Sequence, residues 1–303
     1  LQVLPKEDEA TRSIAADFLG SILRWTGDLA EATRVTEESL ALSKSLNTPQ
    51  ASVNVLGGTA LLQIVQGRYD QAAATCREAM QLAEQFVKLS GHQESSVWQA
   101  YSFLSIVLCE RNELEAAVQF AQEGFELCQR WGEANDLFRA HFYLAKTLQS
   151  SGKSAEAKDL IKKTERVASG LSYWFMDRIA ILKAWQCLMN KKPTAAAHWA
   201  QVNRLTINDQ FNFEQIEKYC LFAQILLTQG KQKEALLLLE KLENMASSAG
   251  ANQYLVSILA MQAMALFEGG NGDSISEKAN PAVDCLERAL SMAETEGYVR
   301  SFV

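Results

Sequence analysis

Apolar residues recur at helical spacing through the stretch from Val97 to Gly132. Its second half carries them at i, i+3, i+4, i+7, i+11 and i+14: Leu114, Ala117, Val118, Ala121, Phe125 and Cys128. Such spacing places one stripe on one face of a helix. An earlier stripe is formed by Val97, Tyr101, Leu104 and Leu108. Because only Arg111 and Asn112 separate the stripes, the pattern predicts two helices folded back as an antiparallel hairpin.

Turn residues recur about every 40 residues, which is typical of a stacked helical array. They are Gly27, Gly67, Asn112, Gly152, Lys191, Gly230 and Gly269. An alanine follows the first six of these anchors after five residues: Ala32, Ala72, Ala117, Ala157, Ala196 and Ala235. A glycine or polar anchor can adopt the left-handed conformation that ends a first helix, and the small alanine lets the second helix pack closely. The seventh turn is lengthened by the insert 269–280.

The period predicts one helical-repeat domain over residues 1–303. Its seven helix–turn–helix repeats span approximately 13–46, 53–89, 97–132, 137–169, 174–205, 215–249 and 254–296. Strand-like alternation of polar and apolar residues is missing, so the class is all-α. The spacing favours a right-handed superhelix, or solenoid, of about seven tetratricopeptide-like repeats. Within the third repeat, Asn112 and Glu115 are spaced as a helix-capping pair.

Charge and composition narrow the classes of function. A net charge of −7 and a pI of about 5.2 argue against a nucleic-acid-binding surface, which needs clustered Lys and Arg. The six cysteines never form C-x-x-C, which favours a reducing compartment and a cytoplasmic protein. The most apolar segment, Tyr254–Phe267, is too short to span a bilayer.

Patterns of catalytic or metal-binding chemistry are not found. His92, His141 and His198 share no ligand spacing with one another or with cysteine pairs, so no metal site is predicted. The chain contains no G-x-S-x-G motif and no catalytic Cys/His arrangement. The run Gly152–Ser154 has Thr147 where a phosphate-binding loop needs its first glycine. We therefore expect a binding protein and not an enzyme.

Four phrases resemble the large LuxR-type regulators related to MalT. Residues 108–117, LCERNELEAA, resemble the YEWNDLEAA segment of that family, and the run that follows, from Gly124 to Gly132, resembles EGLELARRWG. Residues 67–72 resemble GRLDQA, and residues 293–303 resemble AEPEGYVRIFVDEG. The resemblance covers nearly the whole chain. The sequence departs from it at Cys109, Arg111 and Thr295.

The resemblance implies a multidomain transcriptional activator of which this chain is the excised sensor fragment. In that family an ATP-binding signalling domain precedes the repeats, and a helix-turn-helix domain that binds DNA follows them. We therefore expect no cofactor in this fragment, with ATP bound in the missing N-terminal domain. DNA would be contacted only through the missing C-terminal domain, and self-association belongs to the full-length protein.

The resemblance also implies that the first helix of each repeat lines a concave ligand-binding face. The inward positions of the central repeats hold the candidate site residues: Gln99, Arg139, Phe142, Lys146, Arg178, Trp185, Glu217 and Gln224. Arginines can hydrogen-bond an anionic or polyhydroxyl ligand, and the aromatic rings offer stacking faces. The alternative is that the arginines pair with Asp136, Asp177 or Glu217 and that Trp185 belongs to the core.

Two functions remain open at this point. The first is an effector-sensing domain that binds a small molecule or a regulatory protein and controls oligomerisation of the activator. The second is a protein–protein interaction scaffold that binds a peptide or partner in its groove. A compact polar and aromatic cluster favours a small molecule, whereas rows of Lys or Asn along several repeats favour a peptide.

Overall fold

A computed structural model describes residue 5 and residues 8–92, 94–168, 173–269 and 281–302. Within them, seven pairs of α-helices follow one another and no strand is present, so the predicted all-α, tetratricopeptide-like class is confirmed. The first helices of the pairs are α1 Glu9–Thr26, α3 Pro49–Val65, α5 Trp98–Glu110, α7 Ala134–Ser150, α9 Tyr173–Met189, α11 Ile216–Thr228 and α13 Asn252–Gly269. The second helices are α2 Leu29–Ser45, α4 Tyr69–Ser90, α6 Leu114–Trp131, α8 Ser154–Ala168, α10 Pro193–Val202, α12 Gln232–Ala249 and α14 Pro281–Glu294.

The turns within six of the repeats share one backbone geometry. All six anchors have positive φ, from 55° at Lys191 to 92° at Gly27, as predicted. The N–H of the residue after each anchor donates to the carbonyl five residues before it, at 2.8–3.0 Å. This bond satisfies a carbonyl that the ending helix leaves without an intrahelical donor. The seventh anchor, Gly269, ends α13, and the predicted insert after it lies outside the described residues.

The alanine five residues after each of these anchors is fully buried where the second helix of its repeat begins. All six alanines are 0% exposed. Their N–H groups donate to the carbonyls four residues earlier at 2.9–3.4 Å, so each alanine lies in the first turn of its second helix. In the first repeat, a Cβ on Gly20 would lie 2.5 Å from Thr36 Oγ1. A larger side chain at either kind of position would push the two helices apart.

The predicted capping role of Asn112 is wrong. Asn112 has φ of 60° and belongs to the left-handed turn that ends α5. Glu113 occupies the cap position of α6, and its side chain makes no capping hydrogen bond. The turn is so short that Asn112 cannot adopt both the left-handed conformation that ends one helix and the extended one that caps the next.

Some helix ends also differ from the predicted repeat bounds. α3 begins at Pro49 and not near residue 53, because proline at the first helical position loses no hydrogen bond. α10 ends at Val202 and not at Leu205. Arg204 takes a φ of 52°, which does not allow the helix to continue.

The described contacts divide the chain into two compact units, residues 1–171 and 172–303. In the first unit, α1, α3, α5 and α7 contact one another in sequence and form one layer, and each second helix also contacts the next first helix. α9, α11 and α13 are arranged in the same way in the second unit. In the described part of the chain, no helix has the length and apolar character needed to cross a membrane.

Candidate functional site

The eight candidate residues occupy three positions counted back from the turn anchor of their repeat. Position −13, thirteen residues before the anchor, holds Gln99, Arg139, Arg178 and Glu217. Position −10 holds Phe142, and position −6 holds Lys146, Trp185 and Gln224. Four of the candidates lie in the first unit and four in the second.

In the first unit, Gln99 belongs to a polar chain that crosses three first helices. Gln99 Nε2 on α5 donates to Asn54 Oδ1 on α3 at 3.1 Å. Asn54 Nδ2 in turn donates to Asp17 Oδ2 on α1 at 2.9 Å. Burial raises the pKa of the Asp17 carboxyl, and the charge of Arg24 and the bond from Asn54 partly oppose that rise. We call Asp17, Asn54 and Gln99 the amide chain.

Sequence reasoning missed Asp17 and Asn54. The signal was present, because Asn54 stands at position −13 of the second repeat and Asp17 at position −10 of the first. Extending the register of the central repeats back toward the N-terminus would have included both. What the register could not show is that these polar groups meet each other across neighbouring helices.

Arg139 packs against an aromatic ring of the preceding repeat. Its Cζ lies 5.4 Å from the centroid of the Trp98 ring, which is within the range of a cation–π interaction. Its Nη1 is 3.8 Å from Asp136 Oδ1. Burial raises the pKa of Asp136, and the positive charge of Arg139 opposes that rise. The guanidinium is thus held between a ring and a carboxylate, in line with the alternative that the arginines pair with carboxylates.

Phe142 lies in the core of the first unit and not on an open face. It is 7% exposed. Its ring contacts Phe138 and Tyr143, with centroid separations of 6.4 and 5.7 Å. Lys146, one helical turn further along α7, remains partly exposed. Of these two candidates, only Lys146 lies at the surface.

His141 is a core histidine. Its Nδ1 lies 2.7 Å from the Leu137 carbonyl oxygen, and its ring packs edge-on against Phe125 with centroids 4.7 Å apart. Burial lowers the pKa of His141, so the ring is neutral at pH 7. Among the described residues, no group of three or more His, Cys, Asp or Glu side chains could hold a metal ion.

In the second unit, Arg178 and Glu217 are brought together. Arg178 Nη1 on α9 lies 2.7 Å from Glu217 Oε2 on α11. Beside this pair, Lys218 Nζ lies 3.1 Å from Asp177 Oδ1. The two ion pairs join neighbouring first helices with opposite polarity: α9 supplies the cation of one pair and the carboxylate of the other. All four side chains are partly buried. This arrangement also matches the alternative that the arginines pair with carboxylates.

Position −6 is the accessible position of this face. Trp185 is half-buried and Gln224 is exposed in the second unit. In the first unit the same position holds Ser21, Leu61, Ile106 and Lys146, all partly exposed, whereas Ala263 of the seventh repeat is buried. One side chain in each of the first six repeats is therefore accessible to a ligand, while positions −13 and −10 are mostly buried or hydrogen-bonded within the protein.

Two solved structures of one regulator are similar to this chain in fold. A crystal structure of NprR in complex with its cognate peptide NprX superimposes with a TM-score of 0.62 at 16% identity, covering 97% of this chain and 81% of that one. The apo form of the quorum sensor NprR from B. thuringiensis gives a TM-score of 0.54 at 14% identity, covering 96% and 83%. At these identities the likeness shows the fold alone. A comparison with curated proteins gives no match.

The family is shown by the sequence itself. A family model described as the MalT-like TPR region matches residues 1–303. The match covers every repeat, including the segments whose sequences resemble those of the MalT-related regulators. The chain belongs to the family of MalT-like tetratricopeptide regions.

Proposed function

We propose that this chain is the sensing region of a cytoplasmic regulatory protein and that it binds an extended peptide or a segment of a partner protein. The observation that carries the proposal is the row at position −6, which has an accessible side chain in each of the first six repeats. A ligand in extended conformation can contact side chains placed at such intervals. The compact cluster expected for a small effector is weakened, because Arg178 is paired with Glu217 and Phe142 lies in the core.

The family and the structural neighbours support the same proposal. NprR has the same fold and binds a peptide. Membership of the MalT-like family fits a regulator in which ligand binding shifts an equilibrium between two conformations. We propose in addition a LuxR-type activator with an ATP-binding domain and a DNA-binding domain elsewhere in the full-length protein. The role of the repeats is binding and not catalysis.

The test starts from peptides selected from a random-sequence display library against the chain. A binder at a hundred times its dissociation constant adds about 2.7 kcal/mol to the free energy of unfolding, which thermal unfolding detects. We expect Trp185→Ala or Lys146→Ala to weaken a selected peptide at least tenfold. Lys158→Ala, on the exposed side of α8, is the matched control and leaves affinity unchanged.

Two results would contradict the proposal. Peptides that bind the chain equally well in all three variants would place the site away from position −6. If the library gives no binder and a screened metabolite raises the melting temperature, the ligand is a small effector and not a peptide. In that case Arg139→Ala becomes the diagnostic variant, because its guanidinium lies at the aromatic face of Trp98.

A further inference from the structure

We propose that the Asp17 carboxylate binds a positively charged N–H group of the ligand. The group is either the amino terminus of a peptide or the side chain of a Lys or Arg within it. This inference rests on the proposed function, since it assumes that the ligand follows the first helices of the first unit. It specifies that the ligand carries a positive charge where it contacts the first repeats.

The amide chain fixes the position of the carboxylate. Asn54 accepts from Gln99 through Oδ1 and donates to Asp17 through Nδ2, at 3.1 and 2.9 Å. The orientation of the Asn54 amide is therefore determined from both sides. Asp17 Oδ2 receives the last hydrogen bond of the chain, and a carboxylate held in this way loses little conformational freedom when a ligand binds.

Among the described residues, no Lys, Arg or His lies within ion-pair distance of Asp17, and the charge of Arg24 attracts the carboxylate from further away. Partly buried carboxylates on later first helices do have such partners, as Glu217 has in Arg178 and Asp177 has in Lys218. An unpaired, partly buried carboxylate is costly, and a bound cation would remove that cost.

The space beside the second oxygen of Asp17 is open. α3 contains two consecutive glycines in its interior, Gly57 and Gly58, and each of them destabilises the helix relative to alanine. Gly57 is required by packing, since a Cβ there would lie 2.9 Å from Gln99 Oε1. A Cβ on Gly58 would meet only one atom within 4 Å, Asp17 Oδ1 at 3.8 Å. No packing contact among the described residues accounts for Gly58, which leaves room at the carboxylate.

The surroundings suit the proposed cation. An ammonium or guanidinium donates short, charge-assisted hydrogen bonds to a carboxylate oxygen. On the same helix, Ile14 is 60% exposed and Phe18 is 67% exposed. These apolar groups can contact the methylene carbons of a basic side chain or the first residue of a peptide.

The test uses three synthetic tripeptides and the full 303-residue chain. Ala-Ala-Ala amide carries a cation only at its amino terminus, and acetyl-Ala-Arg-Ala amide carries one only on its side chain. Acetyl-Ala-citrulline-Ala amide is the neutral control. Binding is followed through the side-chain NH₂ resonances of Asn54 and Gln99 in ¹H–¹⁵N spectra, which report on the amide chain itself.

We expect at least one cationic tripeptide to shift these resonances and the citrulline peptide to leave them unchanged. Which cationic peptide binds identifies the source of the charge. Asp17→Asn keeps the acceptor for Asn54 but removes the charge, and it should weaken binding at least tenfold. Gly58→Val fills the space while keeping the carboxylate, and it should do the same. Glu115→Gln, at an exposed acidic residue of α6, should bind like the wild type.

The inference is overturned if neither cationic tripeptide binds, if the citrulline peptide binds equally well, or if Asp17→Asn binds like the wild type. Failure of this inference can be told apart from failure of the proposed function. If the binding of a library-selected peptide depends on Trp185 or Lys146 but not on Asp17, only the cation site is contradicted. If the cationic tripeptides bind at Asp17 but the library yields no peptide that binds, only the proposal of an extended ligand is contradicted.

Discussion

At the scale of single residues, the turn anchors determine where each repeat folds back. Two of the anchors in the first six repeats are not glycine: Asn112 and Lys191 have φ of 60° and 55°. Asparagine tolerates the left-handed region, whereas lysine does so at a cost of about 1 kcal/mol because of its Cβ. The fifth repeat thus contains a strained position that a glycine would relieve.

Lys191→Gly should therefore raise the free energy of unfolding by about 1 kcal/mol, although the substitution adds no packing contact and fills no cavity. Gly152→Ala should lower it by a similar amount. A Cβ on Gly152 meets no atom within 4 Å, so any loss there is conformational and not steric. Urea denaturation of the two variants measures both effects. Equal stability of Lys191→Gly and the wild type would contradict the strain assigned to this turn.

His141 predicts a pH dependence at the same scale. Its pKa is lowered in the folded protein, mainly by burial, from an ordinary value of 6.5. The unfolded chain therefore binds a proton first as the pH falls, and stability present above pH 6.5 is lost below it. His141→Gln removes this loss.

We expect the melting temperature of the wild type to fall toward that of His141→Gln as the pH is lowered below 6.5. His92→Gln, at an exposed histidine, is the matched substitution. A difference between His141→Gln and the wild type that stays constant with pH would mean that the ring is not held neutral by burial.

At the scale of elements, the alanine of each second helix determines how closely that helix approaches the first. Ala157 packs in a cluster with Val118, Ala121, Leu144 and Leu148. Ala157→Leu should destabilise the protein by roughly 1–3 kcal/mol through overpacking. Ala155→Leu, at an exposed position of the same helix, should change stability by less than about 0.5 kcal/mol. Thermal unfolding of the pair separates packing from helix propensity, and equal effects would contradict the packing role.

The same scale shows how much of the fold was predictable. The anchors and their alanines come from a local pattern, and those of the first six repeats adopt the expected conformation and burial. The pairing of polar side chains was harder to predict, because Gln99 and Asn54 are 45 residues apart and Arg178 and Glu217 are 39 apart. The partner of such a side chain depends on the lateral distance between neighbouring first helices. A single-helix pattern carries no information on that distance.

The candidate site was predictable in its register but not in its accessibility. The register placed Trp185, Lys146 and Gln224 at positions that remain accessible. It did not distinguish them from Phe142, which is buried, or from Gln99, which serves the amide chain. Burial depends on the side chains contributed by the repeats on either side, and one repeat read alone cannot supply them.

At the scale of the whole molecule, the contacts cluster within residues 1–171 and within residues 172–303. Repeat arrays draw their stability from neighbouring repeats and can unfold in parts. We therefore expect Ala157→Leu to reduce amide protection mainly in residues 8–168. Ala235→Leu, at the equivalent position of the sixth repeat, should act mainly on residues 173–302.

Hydrogen exchange followed by mass spectrometry measures both patterns in the intact chain. Protection lost uniformly along the chain in either variant would indicate one cooperative unit and contradict the division. It would also favour the single domain predicted from the repeat period.

The two ion pairs of opposite polarity between α9 and α11 affect how such a chain can evolve. Arrays of this kind lengthen by copying a repeat beside itself. A tandem copy of the fifth repeat would set Arg178 opposite a second Arg178 at position −13, in place of Glu217. It would also set Asp177 opposite an isoleucine in place of Lys218. Like charges in partly buried positions repel, so the two repeats are not interchangeable modules. Each of the two repeats supplies the ion-pair partners of the other, so these contacts depend on the order in which the repeats follow one another.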